Sequence, residues 1–154
     1  HFIRLVFGMP TAVTTQGRTR DGLAEFWHSQ FHFAEGNYTV EATSGTINQQ
    51  GRPFDHGFEI HLEKATLAFQ FAVIGGQGRY LCEPVLLDSK GKAERPKLAD
   101  GDPMNAFSAE LREVVDCLRN DRPSEILGAA LAEDAMRICE KESISLLRGK
   151  PVKL

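Results

Sequence analysis

The sequence has few of the features that assign a chain to a specialised class of protein. It contains only three cysteines in 154 residues, Cys82, Cys117 and Cys139, and an odd number at scattered positions argues against a disulfide framework. No apolar run approaches the length that a transmembrane helix requires. The net charge of −3 is too small to indicate binding to nucleic acid or to an anionic membrane. We therefore expect a globular domain in the cytoplasm, where thiols stay reduced.

Motifs for cofactors, metals and nucleophilic catalysis are also missing. The glycines of IGGQGR (residues 74–79) lack the strand–turn–helix context of a dinucleotide fingerprint and predict a hairpin turn instead. Glu59, His61 and Glu63 share a strand face, but zinc-type spacing of cysteine and histidine is absent. No Ser/His/Asp or Cys/His arrangement can be assembled. The residues alone thus predict no catalytic residue and no cofactor or metal ligand in this chain.

What is present is a change of hydrophobic period along the chain. Between about residues 12 and 90, apolar and polar residues alternate, as in Phe58, Ile60 and Leu62, which is typical of half-buried antiparallel strands. From about residue 105 the apolar residues follow a helical period. One such stripe comprises Phe107, Leu111, Val114, Val115 and Leu118. Strands followed by helices predict an α+β fold, an open and mostly antiparallel sheet with helices packed on one face.

Two short segments stand out. HFIRLVFGMP has apolar residues at helical spacing, and Gly8 followed by Pro10 indicates the end of a helix whose beginning precedes residue 1. RPFDHGFEI places Phe54, Asp55 and His56 together in a predicted turn that leads into a strand. An aspartate beside a histidine could tune proton transfer, and the alternative is an Asx-type turn with a surface histidine.

Several segments, in their order along the chain, resemble the C-terminal domain of the glucose–fructose oxidoreductase, inositol dehydrogenase and MocA family. They are LVFGMPTAV, FAEGNYTVEAT, FEIHLEKATLAF and the final run RPSEILGAALAEDAMRICEKESISLLRGKPVKL. Ser143 and the tail from Gly149 to Leu154 resemble the family's helix-ending serine and its G-K-x-V-x-L sequence, with Val152 one place early. Leu62 and Ala65 stand where the family usually has glycines.

The resemblance implies a fold and a function. Residues 1–154 are then a glyceraldehyde-3-phosphate dehydrogenase-like C-terminal domain for substrate binding and oligomerisation. A Rossmann domain that binds NAD or NADP, together with the family's catalytic Lys and Asp/His motif, is expected ahead of residue 1 in a parent protein. The parent is an oxidoreductase acting on a sugar, polyol or related hydroxy compound, and this fragment alone is expected to be inactive and to bind no cofactor.

The resemblance also places the RPFDHGFEI loop near the sugar, so Phe54, Asp55 and His56 are the candidate substrate-binding residues. The alternative function is a non-enzymatic sheet module that mediates homo-oligomerisation. Under both interpretations we expect a dimer or larger homo-oligomer through the sheet face, because both faces of the strands between residues 26 and 43 carry aromatic or β-branched residues such as Trp27, Phe31 and Val40. Glu59, His61 and Glu63 are expected at or near that contact.

Overall fold

A computed structural model of the protein describes residues 1–97 and 103–154. These ranges contain three helices and eight strands, which fall into two compact units, His1–Thr46 with Pro103–Leu154, and Ile47–Asp102. In chain order the elements are α1 (Phe2–Phe7), β1 (Ala12–Arg20), β2 (Leu23–His32), β3 (Val40–Gly45), β4 (Phe54–His61), β5 (Ala65–Ile74), β6 (Gln77–Asp88), β7 (Ala93–Glu94), α2 (Pro103–Arg119), α3 (Ala129–Arg148) and β8 (Val152–Lys153).

The first unit is built on a four-stranded antiparallel sheet in the order β3-β2-β1-β8, which we call sheet A. Helix α3 packs mainly on β1, with further contacts to β2 and β8. The buried core cluster consists of Val13, Phe31, Val40 and Ile138. The short strand β8 pairs Val152 with Val13 and forms one edge of sheet A.

The first helix ends where the sequence predicts. Gly8 has φ 83°, a conformation that glycine adopts without a steric penalty, and its amide donates a hydrogen bond to the Arg4 carbonyl at 3.2 Å. Beyond it, the rings of Phe7, Phe33 and Tyr38 form a cluster with centroid separations of 5.2 to 6.5 Å. This cluster joins the end of α1 to the residues that follow β2.

A buried hydroxyl network ties α3 to sheet A. Ser145 Oγ accepts a hydrogen bond from the Thr15 amide at 2.9 Å and donates one to the Lys150 carbonyl at 2.8 Å. Thr15 Oγ1 lies 2.9 Å from Ser29 Oγ, and all three hydroxyl-bearing residues are buried. Ser143, the serine that resembles the family's helix-ending serine, is exposed, and its hydroxyl donates a hydrogen bond to the Cys139 carbonyl of the same helix at 3.0 Å. The packing serine of this helix is therefore Ser145.

The second unit is a four-stranded antiparallel sheet in the order β4-β5-β6-β7, which we call sheet B. A two-residue turn, Gly75–Gly76, joins β5 to β6, and both glycines have positive φ (58° and 77°), as tight hairpin turns require. The hairpin predicted from IGGQGR is confirmed. The described residues of this unit contain no helix, so neither face of sheet B is covered by a helix of its own unit.

The structure confirms the α+β class and the antiparallel pairing of the strands. The expectation that the strands form one sheet is corrected. The strands form two sheets, and of the two long helices α3 packs on sheet A. The apolar stripe of α2 stays exposed among the described residues, with Phe107, Leu111 and Leu118 at 61%, 66% and 77%. Periodicity shows which side of a helix is apolar, but not which element covers that side.

A polar cluster fixes the chain where it leaves α2. Arg122 donates hydrogen bonds to the carboxylates of Glu113 (3.0 and 3.1 Å) and Asp116 (2.6 and 3.1 Å), and Ser124 Oγ donates to Glu113 at 2.8 Å. The hydrogen bonds from Arg122, and then that from Ser124, lower the pKa of Glu113 from 4.5 to about 2. In the part of the chain that the structure describes, no helix is both long and apolar enough to cross a membrane.

Candidate functional site

The three candidate substrate-binding residues lie in β4 itself and not in a turn before it. Consecutive side chains of a strand point to opposite faces. Phe54 and His56 therefore share one face of sheet B, and Asp55 lies on the other. The expectation that these residues form a turn is therefore corrected. Because Asp55 and His56 lie on opposite faces, the Asp55 carboxylate is not placed to tune proton transfer at His56.

Six aromatic side chains line the face that carries Phe54 and His56, and we call this set the aromatic face. Its members are Phe54, His56, Phe58, Phe69, Phe71 and Tyr80. They come from three neighbouring strands, and the cross-strand partners His56 and Phe71, like Phe58 and Phe69, stand directly opposite each other. Each ring centroid lies 5.1 to 6.4 Å from a neighbour, within the range in which aromatic pairs attract one another.

The aromatic face is open to solvent in the described chain. Phe54 is 48% exposed, Tyr80 is 51% exposed and His56 is also exposed, whereas the two phenylalanines of β5 are half-buried by their neighbours. Its members carry no formal charge when the His56 ring is neutral. An exposed, contiguous apolar patch of this kind is typical of an interaction surface.

The opposite face of sheet B is polar, and Asp55 is anchored there. Arg52 forms an ion pair with the Asp55 carboxylate, and Gln70 Nε2 donates a hydrogen bond to Asp55 Oδ1 at 3.4 Å. Gln70 stands opposite Gly57 in the register of β4 and β5. Ala72, the next residue of β5 on this face, is fully buried. The Asp55 carboxylate is thus partly buried, and its two partners fix its orientation.

A groove of about 320 Å³ opens on this polar face, lined by the side chains or backbone of Gly57, Phe58, Glu59, Ala68, Phe69, Gln70 and Cys82. The floor of the groove is low because Gly57 has no side chain and Ala68 has only a methyl group. A Cβ atom at Gly57 would meet the Phe69 carbonyl oxygen at 2.5 Å, because the two strands approach closely there. We call this feature the polar groove.

The histidines and acidic residues considered in the sequence are dispersed over other surfaces. On the open face of sheet A, His32 Nε2 lies 2.9 Å from Thr14 Oγ1, and His28 Nδ1 lies 3.0 Å from Thr43 Oγ1. Glu59 and His61 lie on the polar face of sheet B, opposite the aromatic face, and are 3.5 Å apart between Oε1 and Nε2. Glu63 follows the end of β4 at His61, so the expectation that the three residues share a strand face is corrected. No group of three His, Cys, Asp or Glu side chains converges on one point within residues 1–97 and 103–154.

Arg52, Gly57 and Gln70 belong to the polar face of sheet B but are not among the site residues predicted from the sequence. Arg52 precedes β4 by two residues, and no local pattern links it to Asp55. Gln70 meets Asp55 only through strand pairing between β4 and β5. Gly57 did carry a signal, since an isolated glycine inside an alternating strand indicates a close approach of another backbone.

The glycines of the β5–β6 hairpin do not fit a nicotinamide dinucleotide. β6 continues directly after the turn, so no helix N-terminus is available there for a pyrophosphate.

Comparison with known proteins adds no relative. No protein-family model matches the chain, and no curated protein matches it significantly. The resemblance to the glucose–fructose oxidoreductase family therefore stays a prediction from the motifs.

Proposed function

We propose that this chain is the substrate-binding and oligomerisation domain of an NAD(P)-dependent oxidoreductase, and that sheet B joins two copies of it. The observation that carries the association is the exposed aromatic face on a sheet whose own unit contains no helix among its described residues. Burying that face removes apolar surface from water, which is the main favourable term in most protein association.

A second copy of the same chain is the partner that this face fits best. A patch with no charged member gives a partner nothing to pair with electrostatically, and homodimer interfaces are more apolar than other interfaces. A two-fold axis through the patch brings the same residues together from both copies, which is the commonest way in which soluble proteins associate. Aromatic side chains then interdigitate across the contact, as in a pair of packed sheets.

The size of the aromatic face sets the strength of this association. β4 has eight residues, which is about 26 Å at 3.3 Å per residue, and three strands give a width of about 14 Å. The flat footprint is therefore about 370 Å² per copy, or about 740 Å² for the pair, which is below the roughly 1,200 Å² of stable specific interfaces and fits a weak, transient contact. We expect a dissociation constant in the micromolar range rather than an obligate dimer.

The enzymatic setting rests on the motif resemblance. The family's hydride chemistry belongs to the nicotinamide, and the hairpin glycines of this chain do not fit that cofactor, so the proposal assigns NAD or NADP to another domain of the parent protein. A sugar, polyol or related hydroxy compound is the proposed substrate, with Phe54, Asp55 and His56 as the proposed lining residues. A cytoplasmic location belongs to the same proposal.

Two experiments test this function separately. Sedimentation equilibrium of the purified chain at micromolar concentration should give a concentration-dependent dimer, and a 17.1 kDa species at all concentrations contradicts the association. The coding sequence upstream of His1 should encode a strand–turn–helix with G-x-G-x-x-G, and a start codon close to His1 contradicts the oxidoreductase.

A non-enzymatic association module is the second candidate function. The same aromatic face favours it, since that face needs no catalytic partner to act. A chain that dimerises while its gene encodes no dinucleotide-binding motif would support this candidate and exclude the first.

A further inference from the structure

We infer that the outer edge of β4 pairs with β4 of a second copy, so that two copies of sheet B join into one continuous antiparallel sheet. β4 is an edge strand of sheet B, and no strand of the described chain pairs with its outer side. The inference goes beyond the proposed function, because it concerns backbone hydrogen bonds at the edge of the sheet and not the packing of the aromatic face.

The backbone of β4 directs its hydrogen-bonding groups alternately towards β5 and away from it. The Leu62 amide donates to the Ala65 carbonyl at 2.7 Å, and hydrogen-bonded pairs recur at every second residue of an antiparallel ladder. A Cβ at Gly57 would lie 3.0 Å from the Gln70 Cα, which agrees, since Cα atoms are closest in the pairs that are not hydrogen-bonded. The amides and carbonyls that point away from β5 form a set that we call the outer row, at Asp55, Gly57, Glu59 and His61.

The edge of β4 lacks the features that usually protect a sheet edge. Natural proteins shorten an edge strand or interrupt it with lysine, proline or a bulge, because an open edge is a template for a further strand. β4 has eight residues, contains neither lysine nor proline, and pairs with β5 in one unbroken register. The opposite edge of sheet B is the two-residue strand β7. The edge of β4 is thus long and regular enough to accept a strand.

A second copy of β4 fits this edge in a defined register. An antiparallel pair with its two-fold axis at Phe58 places Asp55 opposite His61 of the second copy. The same register places Gly57 opposite Glu59. Each of these pairs brings together two members of the outer row, so each pair exchanges two hydrogen bonds.

Charge selects this register over its neighbours. Along the polar face it produces a row of alternating sign, because Glu59 and His61 of one copy are followed by Asp55 and Arg52 of the other, with the imidazole contributing when it is protonated. Within one chain the first two groups are 3.5 Å apart and the last two form an ion pair. Moving the axis by one residue, to Gly57 or to Glu59, sets Glu59 opposite a carboxylate of the second copy, and like charges directly opposite each other are destabilising.

The same register extends the aromatic face. Phe54 stands opposite Leu62 of the second copy. His56 stands opposite Ile60, and the two Phe58 side chains are neighbours on the axis. The axis of edge pairing is normal to the sheet, whereas packing of two aromatic faces uses an axis parallel to it. Neither contact therefore excludes the other, and both together give a closed assembly of four copies at concentrations above those at which either pair forms.

Amide hydrogen exchange of the ¹⁵N-labelled chain at low and high micromolar concentration tests this inference. The amides of the outer row should exchange at least tenfold more slowly in the concentrated sample, because they become hydrogen-bonded. The edge strand β3 is the internal control. Its Thr46 end donates to the Glu25 carbonyl at 2.8 Å, so its outward amides are those of Glu41, Thr43 and Gly45. Unchanged exchange in the outer row, or equal slowing in β3, overturns the inference.

Proline at the edge separates the contact from the fold. Glu59→Pro removes an amide that points away from β5, and edge strands tolerate proline at such positions. At high concentration the remaining outer-row amides should then exchange at least tenfold faster than in the wild type. Thr43→Pro is the matched change at the outer edge of β3 and should leave the outer row protected.

A second variant tests the register without changing the backbone. His61→Asp sets a carboxylate opposite Asp55 of the second copy, and should reduce the protection of the outer row about threefold. The His61 side chain is 73% exposed, so this variant folds even if Glu59→Pro does not. His32→Asp, on an exposed histidine of sheet A, should leave the protection unchanged. Full protection in both β4 variants overturns the assignment.

Tyr80→Glu distinguishes failure of edge pairing from failure of the proposed association. Tyr80 belongs to the aromatic face, is 51% exposed and lies on β6, two strands from the edge. A charge there should weaken the packing of aromatic faces and leave the outer row protected. Protection that persists in this variant supports edge pairing even if the aromatic face joins no copies. Protection that disappears with Tyr80→Glu overturns edge pairing, because packing of the faces then accounts for it.

Discussion

Asp55 and His56 are adjacent in the sequence but lie on opposite faces of β4. Asp55 is held by Arg52 and Gln70, while the His56 ring contacts the rings of Phe54, Phe69 and Phe71. The two faces of sheet B therefore differ in chemistry. One face is apolar and suits association, and the other carries polar side chains that are fixed by an ion pair and a hydrogen bond.

A charge placed on the aromatic face should weaken self-association. Phe54→Glu replaces a 48% exposed ring on the edge strand β4 with a carboxylate that must be desolvated in the contact. We expect the dissociation constant to rise at least tenfold, which analytical ultracentrifugation measures.

The matched control for that change is Leu23→Glu. Leu23 is 74% exposed at the tip of the β1–β2 hairpin and lies outside the aromatic face. Equal weakening by both substitutions would point to a general charge effect instead of a specific surface.

Removing the Ser145 hydroxyl should destabilise the fold. In Ser145→Ala the buried Thr15 amide and Lys150 carbonyl both lose their partner, and an unsatisfied buried polar group costs about 1–3 kcal/mol. Urea unfolding followed by circular dichroism measures the loss. Ser143→Ala, on the exposed side of the same helix, should change the free energy of unfolding by less than about 0.5 kcal/mol, and equal losses would refute the role of the buried network.

Filling the close approach at Gly57 should also destabilise the second unit. The new Cβ of Gly57→Ala would meet the Phe69 carbonyl oxygen at 2.5 Å, and relief of such overpacking costs about 1–3 kcal/mol. Gly51→Ala is the control, since a Cβ there meets nothing within 4 Å. Thermal unfolding of the two variants should differ in this direction, and a Gly57→Ala variant as stable as the wild type would contradict the register of β4 and β5.

The polar cluster after α2 predicts a pH dependence of local stability. The pKa of Glu113 is lowered from 4.5 to about 2, so the stabilisation is fully present above the unfolded value and is lost as the pH falls through about 2. Arg122→Gln removes the largest cause and should move the Glu113 pKa back towards 4.5. Carboxyl ¹³C shifts during acid titration report this directly, and an unchanged Glu113 pKa in the variant would show that Arg122 does not hold it.

Local patterns in the sequence predict individual elements well. Alternation from Phe58 to Leu62 predicts β4, although the strand begins four residues earlier and ends at His61. Gly8 ends α1 as expected, and the hairpin glycines form a tight turn. Extending the same alternation back from Phe58 through His56 to Phe54 was the signal that these residues share a face.

Local sequence patterns do not determine which strands pair or which distant residues come into contact. The separation into sheets A and B depends on which strands meet, and a strand's own residues do not record its partner. Ser145 bonds to Thr15 across 130 residues, and Gln70 reaches Asp55 only when β5 pairs with β4. The apolar stripe of α2 is a further example. Its residues predict that this side of the helix is buried, but no element of the described chain packs on it.

Sedimentation equilibrium of the unmodified chain from low to high micromolar concentration shows whether the aromatic face of sheet B joins two copies. We expect reversible growth from the 17.1 kDa monomer to a dimer, with the equilibrium shifted towards monomer by Phe54→Glu and left in place by Leu23→Glu. A monomer throughout this range, or a dimer that Phe54→Glu leaves intact, would contradict the claim that the aromatic face of sheet B joins two copies of the chain.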